Sequence, residues 1–261
     1  MNLQMRDLIC FLKKQESELN ERTNSLGLSS DMLKLFAMIF MLIDHMWATV
    51  SSGGMWMTAL GRLAFPIFAF GIAEGYAHTS DRKAYMKRML VWALISEIPF
   101  NLMTTGSPVF PFHQNVMFTF LMALMAMSVF DKAVMEKKWL GGGAKLVGLA
   151  VLSVITFPDY GFFGVLTTFM FHVLRGRRFE KPLQLLMMVL IHCVWIKGLG
   201  FPVMLFGSEV FVPIQAFAVL SLIFIWLYNG EKGSFGSLYR RFGYAFYPLH
   251  MLLLWLYAIV V

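Results

Sequence analysis

The sequence predicts an all-α protein: a polytopic transmembrane helical bundle of about nine spans with its N-terminus inside. Three observations predict it. The 261 residues are 58% hydrophobic, with a mean hydropathy of +0.66. The apolar runs approach the roughly 20 residues that cross a bilayer as a helix. Twenty of the 22 Lys and Arg fall in alternate loops and so lie on one side; Arg62 and Lys197 are the exceptions. Cytoplasmic loops collect Lys and Arg, which makes that side the inside. The net charge of +7 is thereby a consequence of topology and implies no nucleic-acid partner. The localisation expected is the cytoplasmic (inner) membrane, multi-pass.

Residues 1–31 mix their charges (Arg6, Asp7, Lys13, Lys14, Glu16, Glu18, Glu21, Arg22) and do not span. They lack the basic start, apolar stretch and small-residue site of a cleavable signal. Leu3, Leu8, Ile9, Phe11 and Leu12 make one apolar face if the segment is a helix on the cytoplasmic membrane surface; a disordered leader fits as well. Residues 32–261 then form the integral-membrane domain. The first span covers 32–50 and the second 57–77, joined by the uncharged Ser51–Trp56. The third, 84–104, opens on a loop with Arg82, Lys83, Lys87 and Arg88. Thr105–Gln114 has no Lys or Arg and leads to the fourth, 115–131. Lys132, Lys137, Lys138 and Lys145 accompany the way into the fifth, 144–158. Pro158-Asp159-Tyr160-Gly161 is a tight turn signal into the sixth, 160–175. Arg175, Arg177, Arg178 and Lys181 precede the seventh, 182–197. Leu199–Ser208 is apolar but too short to cross, which leaves a re-entrant segment open. The eighth span is 209–228, and Lys232, Arg240 and Arg241 precede the ninth, 243–261.

Cys10 and Cys193 fall in different compartments, so no disulfide is expected, and no Cys/His spacing suggests a metal. The 21 Met and 26 Phe are packing and lipid-facing residues. No internal repeat is visible, unlike many transporters.

Ionisable groups inside spans are costly and mark functional sites by default. Asp44 and His45 lie about 9 Å below the outer end of the first span, by helical rise. Arg62 and Glu97 lie at similar depth, with Asn101 one turn above Glu97 on the same face. Asn115 starts the fourth span and Asp159 sits in an outer turn. Glu74, His78, Tyr85 and Arg88 form an inner group, with His250 nearer the midplane. The blander alternatives are an ion pair of Arg62 with Asp44 or Glu97, and His172 and His192 as hydrogen-bonded packing residues. The adjacent Asp44-His45 is harder to explain structurally, because the two side chains point about 100° apart and both need polar partners.

Several short motifs occur in order: Leu42-Ile43-Asp44-His45, Gly61-Arg62-Leu63-Ala64-Phe65-Pro66, Glu74-Gly75, His78-Thr79, then Tyr85 and Arg88, Ser96-Glu97-Ile98-Pro99-Phe100-Asn101, Asn115, Asp159-Tyr160-Gly161 and Tyr247-Pro248-Leu249-His250. Together they resemble the TraX family over roughly residues 32–261. The resemblance implies a membrane acetyltransferase, related to the wider group that moves acetyl from cytoplasmic acetyl-CoA to an acceptor on the far side. The family's founding activity is N-acetylation of a pilin amino terminus; a peptide, lipid or glycan acceptor stays open.

Such a transfer needs a base for the acceptor proton and donors for the tetrahedral oxyanion. His45 is the expected base, with an unperturbed pKa of about 6.5. Asp44 or Glu97 would hold its tautomer. Arg62, Asn101 and Asn115, with Asp159 nearby, would steady the oxyanion or the acceptor. Arg82, Lys83, Lys87 and Arg88 would hold the CoA phosphates, while Glu74, Tyr85 and His250 would line the donor's path. No metal is expected. The competing functions are a proton-coupled transporter built on the Asp/Glu/His route and a non-catalytic scaffold for envelope assembly.

Overall fold

The computed structural model describes residues 27–50, 54–205 and 207–260. Cys10 and the apolar face expected near the N-terminus lie outside them. The first helix, α1 (Ser30–Val50), is 21 residues long, or about 31 Å at the usual rise. Next come α2 (Trp56–Gly61) and α3 (Ala64–His78). Together α2 and α3 span Trp56–His78, interrupted at Arg62-Leu63. Pro66 explains the interruption, since it has no N–H for the carbonyl four residues back, at Arg62. The next helices are α4 (Arg82–Thr105), α5 (Val116–Glu136), α6 (Trp139–Ile155) and α7 (Gly161–Leu174). Helix α8 (Glu180–Val189) continues as a wider π-turn over Leu190–Trp195. A hairpin of β1 (Gly200–Leu205) and β2 (Ser208–Pro213) follows. A 3-10 segment, Ile214–Leu220, leads into α9 (Ser221–Trp226), and α10 (Gly236–Val260) closes the chain.

Four helical stretches are long and apolar enough to cross a membrane: Ser30–Val50, Trp56–His78, Val116–Glu136 and Phe242–Val260. This is a membrane protein, but among the described residues only these four of the nine expected spans qualify by length and composition. Helix α4 is 24 residues long, but it carries Arg82, Lys83, Lys87, Arg88 and Glu97. Trp139–Ile155, Gly161–Leu174 and Ile214–Trp226 are shorter apolar helices. Within the stretch 199–208, Gly200–Leu205 forms β1 and Ser208 begins β2. The expected eighth span loses its first residues to β2. Alternating aromatic and β-branched residues (Phe201, Val203, Val210, Val212) favour strand, Gly207 supplies the left-handed turn at φ 83°, and Pro213 ends the pairing.

The helices pack through small buried residues, among them Ala37, Ala69, Ala93 and Ala123, each fully buried. Small side chains let backbones approach within a membrane bundle. Helix α10 lies against both α1 and α4, while α3 is held between α1 and α7. At one end, Asp31 N–H donates to the Lys232 carbonyl, Arg82 pairs with Asp131 and Arg175 pairs with Glu74. This is the basic end. At the other, Gln114 bridges to Pro158 and the Thr119 hydroxyl donates to the Asp159 carbonyl.

Gly164 sets the closest approach of α5 and α7. A Cβ there would lie 2.7 Å from Thr119 Cγ2 and 2.7 Å from Tyr160 Cβ. Gly164→Val is expected to lower the melting temperature in detergent, since overpacking costs about 1–3 kcal/mol. Gly148→Ala, with nothing within 4 Å of its Cβ, is expected to leave it unchanged or slightly raised.

Candidate active site

His45 on α1 and His250 on α10 meet edge to edge. His45 Nδ1 lies 2.7 Å from His250 Nε2. The ring planes are 6° apart and the centroids 4.9 Å apart, the geometry of an in-plane hydrogen bond. The other nitrogen of His250, Nδ1, lies 2.7 Å from the Phe246 carbonyl. A carbonyl only accepts, so His250 Nδ1 carries the hydrogen and its Nε2 presents a lone pair. His45 Nδ1 must then donate to it. The basic lone pair of His45 is left on Nε2, which has no hydrogen-bond partner among the described residues. The tautomer expected from a carboxylate is thus set by a second histidine. Stacking of His250 on Phe246, with centroids 4.8 Å apart, fixes that ring in turn.

Asp44 faces elsewhere. Arg62 Nη2 donates to Asp44 Oδ1 at 2.8 Å and Oδ2 at 2.7 Å, and also to Thr58 Oγ1 at 2.9 Å. The expectation that Asp44 orients His45 is therefore corrected: the turn of α1 sends the two side chains apart, and the carboxylate neutralises the arginine. Gly61 makes the contact possible, because a Cβ there would strike the Asp44 side chain. Tyr160 lies against the Arg62 guanidinium and stacks on Phe65 at 4.0 Å. It holds a left-handed backbone at φ 62°, unusual for a residue with a side chain and common at functional sites. Asp159 is close enough to couple electrostatically to His45, Arg62 and Tyr247.

Glu97 is also spoken for. Its Oε2 accepts from Asn115 Nδ2 at 2.7 Å and from Asn115 N–H at 3.2 Å, and Oε1 accepts from Asn101 Nδ2 at 3.4 Å. Asn115 gives its other amide hydrogen to the Ala93 carbonyl at 2.8 Å and caps α5 through Met117 N–H. This group joins α4 to α5 and leaves Asn115 no side-chain N–H for an oxyanion. Glu97 does not reach His45.

An elongated cavity of about 520 Å³ rises from the basic end into the bundle. Asp31, Lys34, His78, Arg88 and Lys232 line its mouth; Met41, Ile67, Val116, Phe120 and Tyr247 line its far end. From Thr79 back to Ile67 it follows α3 for about 18 Å. Its far end stops one turn short of the histidines: Met41 precedes His45 by one turn, and the Tyr247 ring is 5.9 Å from that of His250. Of the expected donor residues, Glu74, Tyr85 and Arg88 line this cavity, and Lys83 and Lys87 do not. Arg82 is turned away, 2.9 Å from Asp131 and over the Tyr76 ring. Asp131 also meets His172 at 2.8 Å, and His192 sits between Thr167 and Gln215. Both histidines are packing residues, as the blander alternative has it.

The TraX protein family matches residues 29–258 of the chain. The chain belongs to the TraX family. It is similar to the probable fimbrial assembly protein FimC, serogroup H1, of Dichelobacter nodosus: 26% identical over 245 residues, covering 89% of this chain and 96% of that protein. It is also similar to Protein TraX of Escherichia coli (strain K12), 25% identical over 214 residues, covering 81% of this chain and 78% of that one. No solved structure matches the chain. Among the described residues no group of His, Cys, Asp and Glu is arranged to hold a metal ion.

Tyr160, Tyr247, Lys34 and Lys232 adjoin the site or its cavity without having been singled out as site residues in the sequence. Tyr160 and Tyr247 are legible only as members of the Asp159-Tyr160-Gly161 and Tyr247-Pro248-Leu249-His250 strings. Lys34 and Lys232 carry no signal beyond the inside charge bias.

Two outcomes are expected. Asp44→Leu alone should sharply lower the folded yield, because an unpaired buried cation is costly. Asp44→Leu with Arg62→Met should recover the yield, measured by size-exclusion chromatography. Separately, the Asp159 carboxylate, 3.7 Å away, raises the pKa of His113 above 6.5, against the lowering by partial burial. The stabilisation from this contact is full below about 6.5 and lost as pH rises through the raised pKa. Hydrogen exchange of the 105–114 loop should accelerate across that interval, and Asp159→Asn should remove the dependence.

Proposed function

We propose that the chain is a multi-pass protein of the cytoplasmic membrane that transfers acetyl from cytoplasmic acetyl-CoA to an amine or hydroxyl on the outer side. The observation that carries this reading is the cavity that starts among cations and ends one turn below a histidine with a lone pair unshared among the described residues. Its length of about 18 Å equals roughly five residues of extended chain, a length suited to a pantetheine arm. Its walls are mostly apolar, and its volume lies within the range of about 300–1,000 Å³ usual for ligand pockets.

In this reading the thioester carbonyl sits above Tyr247, facing His45. The acceptor approaches from the end where Arg62, Asp159 and His113 lie. His45 Nε2 takes the acceptor proton as its nitrogen or oxygen attacks the carbonyl carbon. His250, held by the Phe246 carbonyl, keeps His45 in the required tautomer and lets positive charge spread across the pair. Arg62, already clamped by Asp44, stabilises the tetrahedral oxyanion. Collapse breaks the C–S bond, and the CoA thiolate takes the proton back from His45. The fimbrial-assembly name of the Dichelobacter nodosus relative favours a filament-subunit amino terminus as acceptor.

The test reconstitutes the protein in vesicles with its basic loops outward, acetyl-CoA outside and an amino-terminal pilin peptide inside. Acetylated peptide should accumulate inside. His45→Ala should lower turnover by about 10²- to 10⁴-fold, the usual worth of a general base, while acetyl-CoA binding persists. Near-normal turnover by that variant would sink the base assignment, and absence of acetyl-CoA binding by the unmodified protein would sink the whole reading.

A further inference from the structure

A second cleft, of about 710 Å³, opens at the basic end beside the first cavity. Arg175, Arg177, Arg178 and Lys181, from the α7–α8 connection and the start of α8, form one wall. Trp226 and Tyr228, at the end of α9, form the other. The two spaces share Phe70, Glu74, His78 and Tyr228 as lining, so they adjoin along one seam. Charge bias at the inner side explains why cations occur in this loop. It does not explain why they face a walled cleft that borders the apolar cavity.

The side chains at the seam are tied together. Arg175 Nε donates to Glu74 Oε1 at 2.7 Å, and Glu74 Oε2 lies 3.2 Å from His78 Nε2. Arg175 is thus committed to Glu74. Glu180 is occupied too, accepting from Gly176 N–H and from Gln184 Nε2. Arg177, Arg178 and Lys181 are exposed and have no carboxylate partner among the described residues, though Arg177 Nε donates to the Val173 carbonyl; Lys181 Nζ lies 5.9 Å from the Trp226 ring centre. Flat rings beside cations suit a nucleotide, because a base stacks on the ring while guanidinium groups take phosphate oxygens.

We infer that this cleft seats the nucleotide end of the acetyl donor, with the diphosphate and 3′-phosphate on Arg177, Arg178 and Lys181 and the adenine against Trp226 and Tyr228. The inference rests on the acetyltransferase reading above and moves the phosphate site away from Arg82, Lys83 and Lys87. The pantetheine arm would pass the Glu74 seam into the first cavity. Arg88, Lys34 and Lys232 would then border the arm.

The test compares acetyl-CoA with S-acetylpantetheine, which keeps the arm and lacks the nucleotide. Binding is measured by calorimetry on detergent-purified protein at low salt. The unmodified protein should bind acetyl-CoA more tightly than the truncated donor. Arg177→Ala/Arg178→Ala/Lys181→Ala should weaken acetyl-CoA by about 100-fold or more, since each charge-assisted bond to phosphate is worth roughly tenfold or better. S-acetylpantetheine binding should not change, and Lys83→Ala/Lys87→Ala should bind both donors normally. Unchanged acetyl-CoA affinity in the triple variant, or an equal loss for both donors, overturns the inference and leaves the acetyltransferase reading intact. Binding of neither donor by the unmodified protein removes both. Anionic lipid is the other source of phosphate. Acetyl-CoA affinity should withstand a tenfold excess of phosphatidylglycerol, and displacement by that lipid would assign the cleft to membrane headgroups.

Discussion

A guanidinium inside a membrane bundle must have a counter-charge, and the pair of Arg62 with Asp44 supplies it. Much of the site follows from that requirement. The pair fastens α1 to the junction of α2 and α3, where Pro66 interrupts the helix and Gly61 clears room for the carboxylate. With Asp44 held on one side of α1, His45 is directed to another and reaches α10. Tyr160 closes over the arginine from the α6–α7 turn. One electrostatic need therefore positions residues from four separate parts of the chain.

The ionisable groups divide between two tasks that look alike in a list. Glu97, Asn101 and Asn115 satisfy one another and fasten α4 to α5. Asp131 collects Arg82, His172 and the Tyr76 hydroxyl at the basic end. Most donors and acceptors in these clusters are matched, which lowers the cost of burying them, although Asn101 Oδ1 and His172 Nδ1 find no partner among the described residues. The His45–His250 pair is open, because its chain of donors and acceptors ends on an unshared nitrogen. Open ends are where a proton can be taken up. The His45 nitrogen differs from that of His172 in lying one turn beyond the far end of the apolar cavity, and most of the carboxylates serve as fasteners.

The helices of α1, α3, α5 and α10 were legible in the sequence because each combines a long apolar run with short charged borders. The stretch from Leu199 to Leu220 was not. Its apolar residues satisfy a membrane pattern and a strand pattern alike, and a short run does not separate the two. Within the site, the depths of His45, Arg62 and Glu97 could be placed by counting residues along their spans. Their partners could not. Whether Asp44 turns to His45 or Arg62 depends on how α1 is rotated against α2, which packing decides. His250 was expected on the donor's path, yet it meets His45 from 205 positions away; no local spacing encodes such a pairing. The cations at Arg82 and Arg88 are six residues apart on α4, and only Arg88 faces the cavity.

The hydrogen bond between α1 and α10 joins helical segments 205 positions apart in the chain. A ribosome that has made His45 must still add 205 residues to reach His250, and α10 must then pack against α1 and α4. Until that moment the bundle has a mouth and a passage but lacks the second imidazole. Chains truncated during synthesis, or with α10 misinserted, lack the pair. The two imidazoles therefore come together only once α10 has packed against α1.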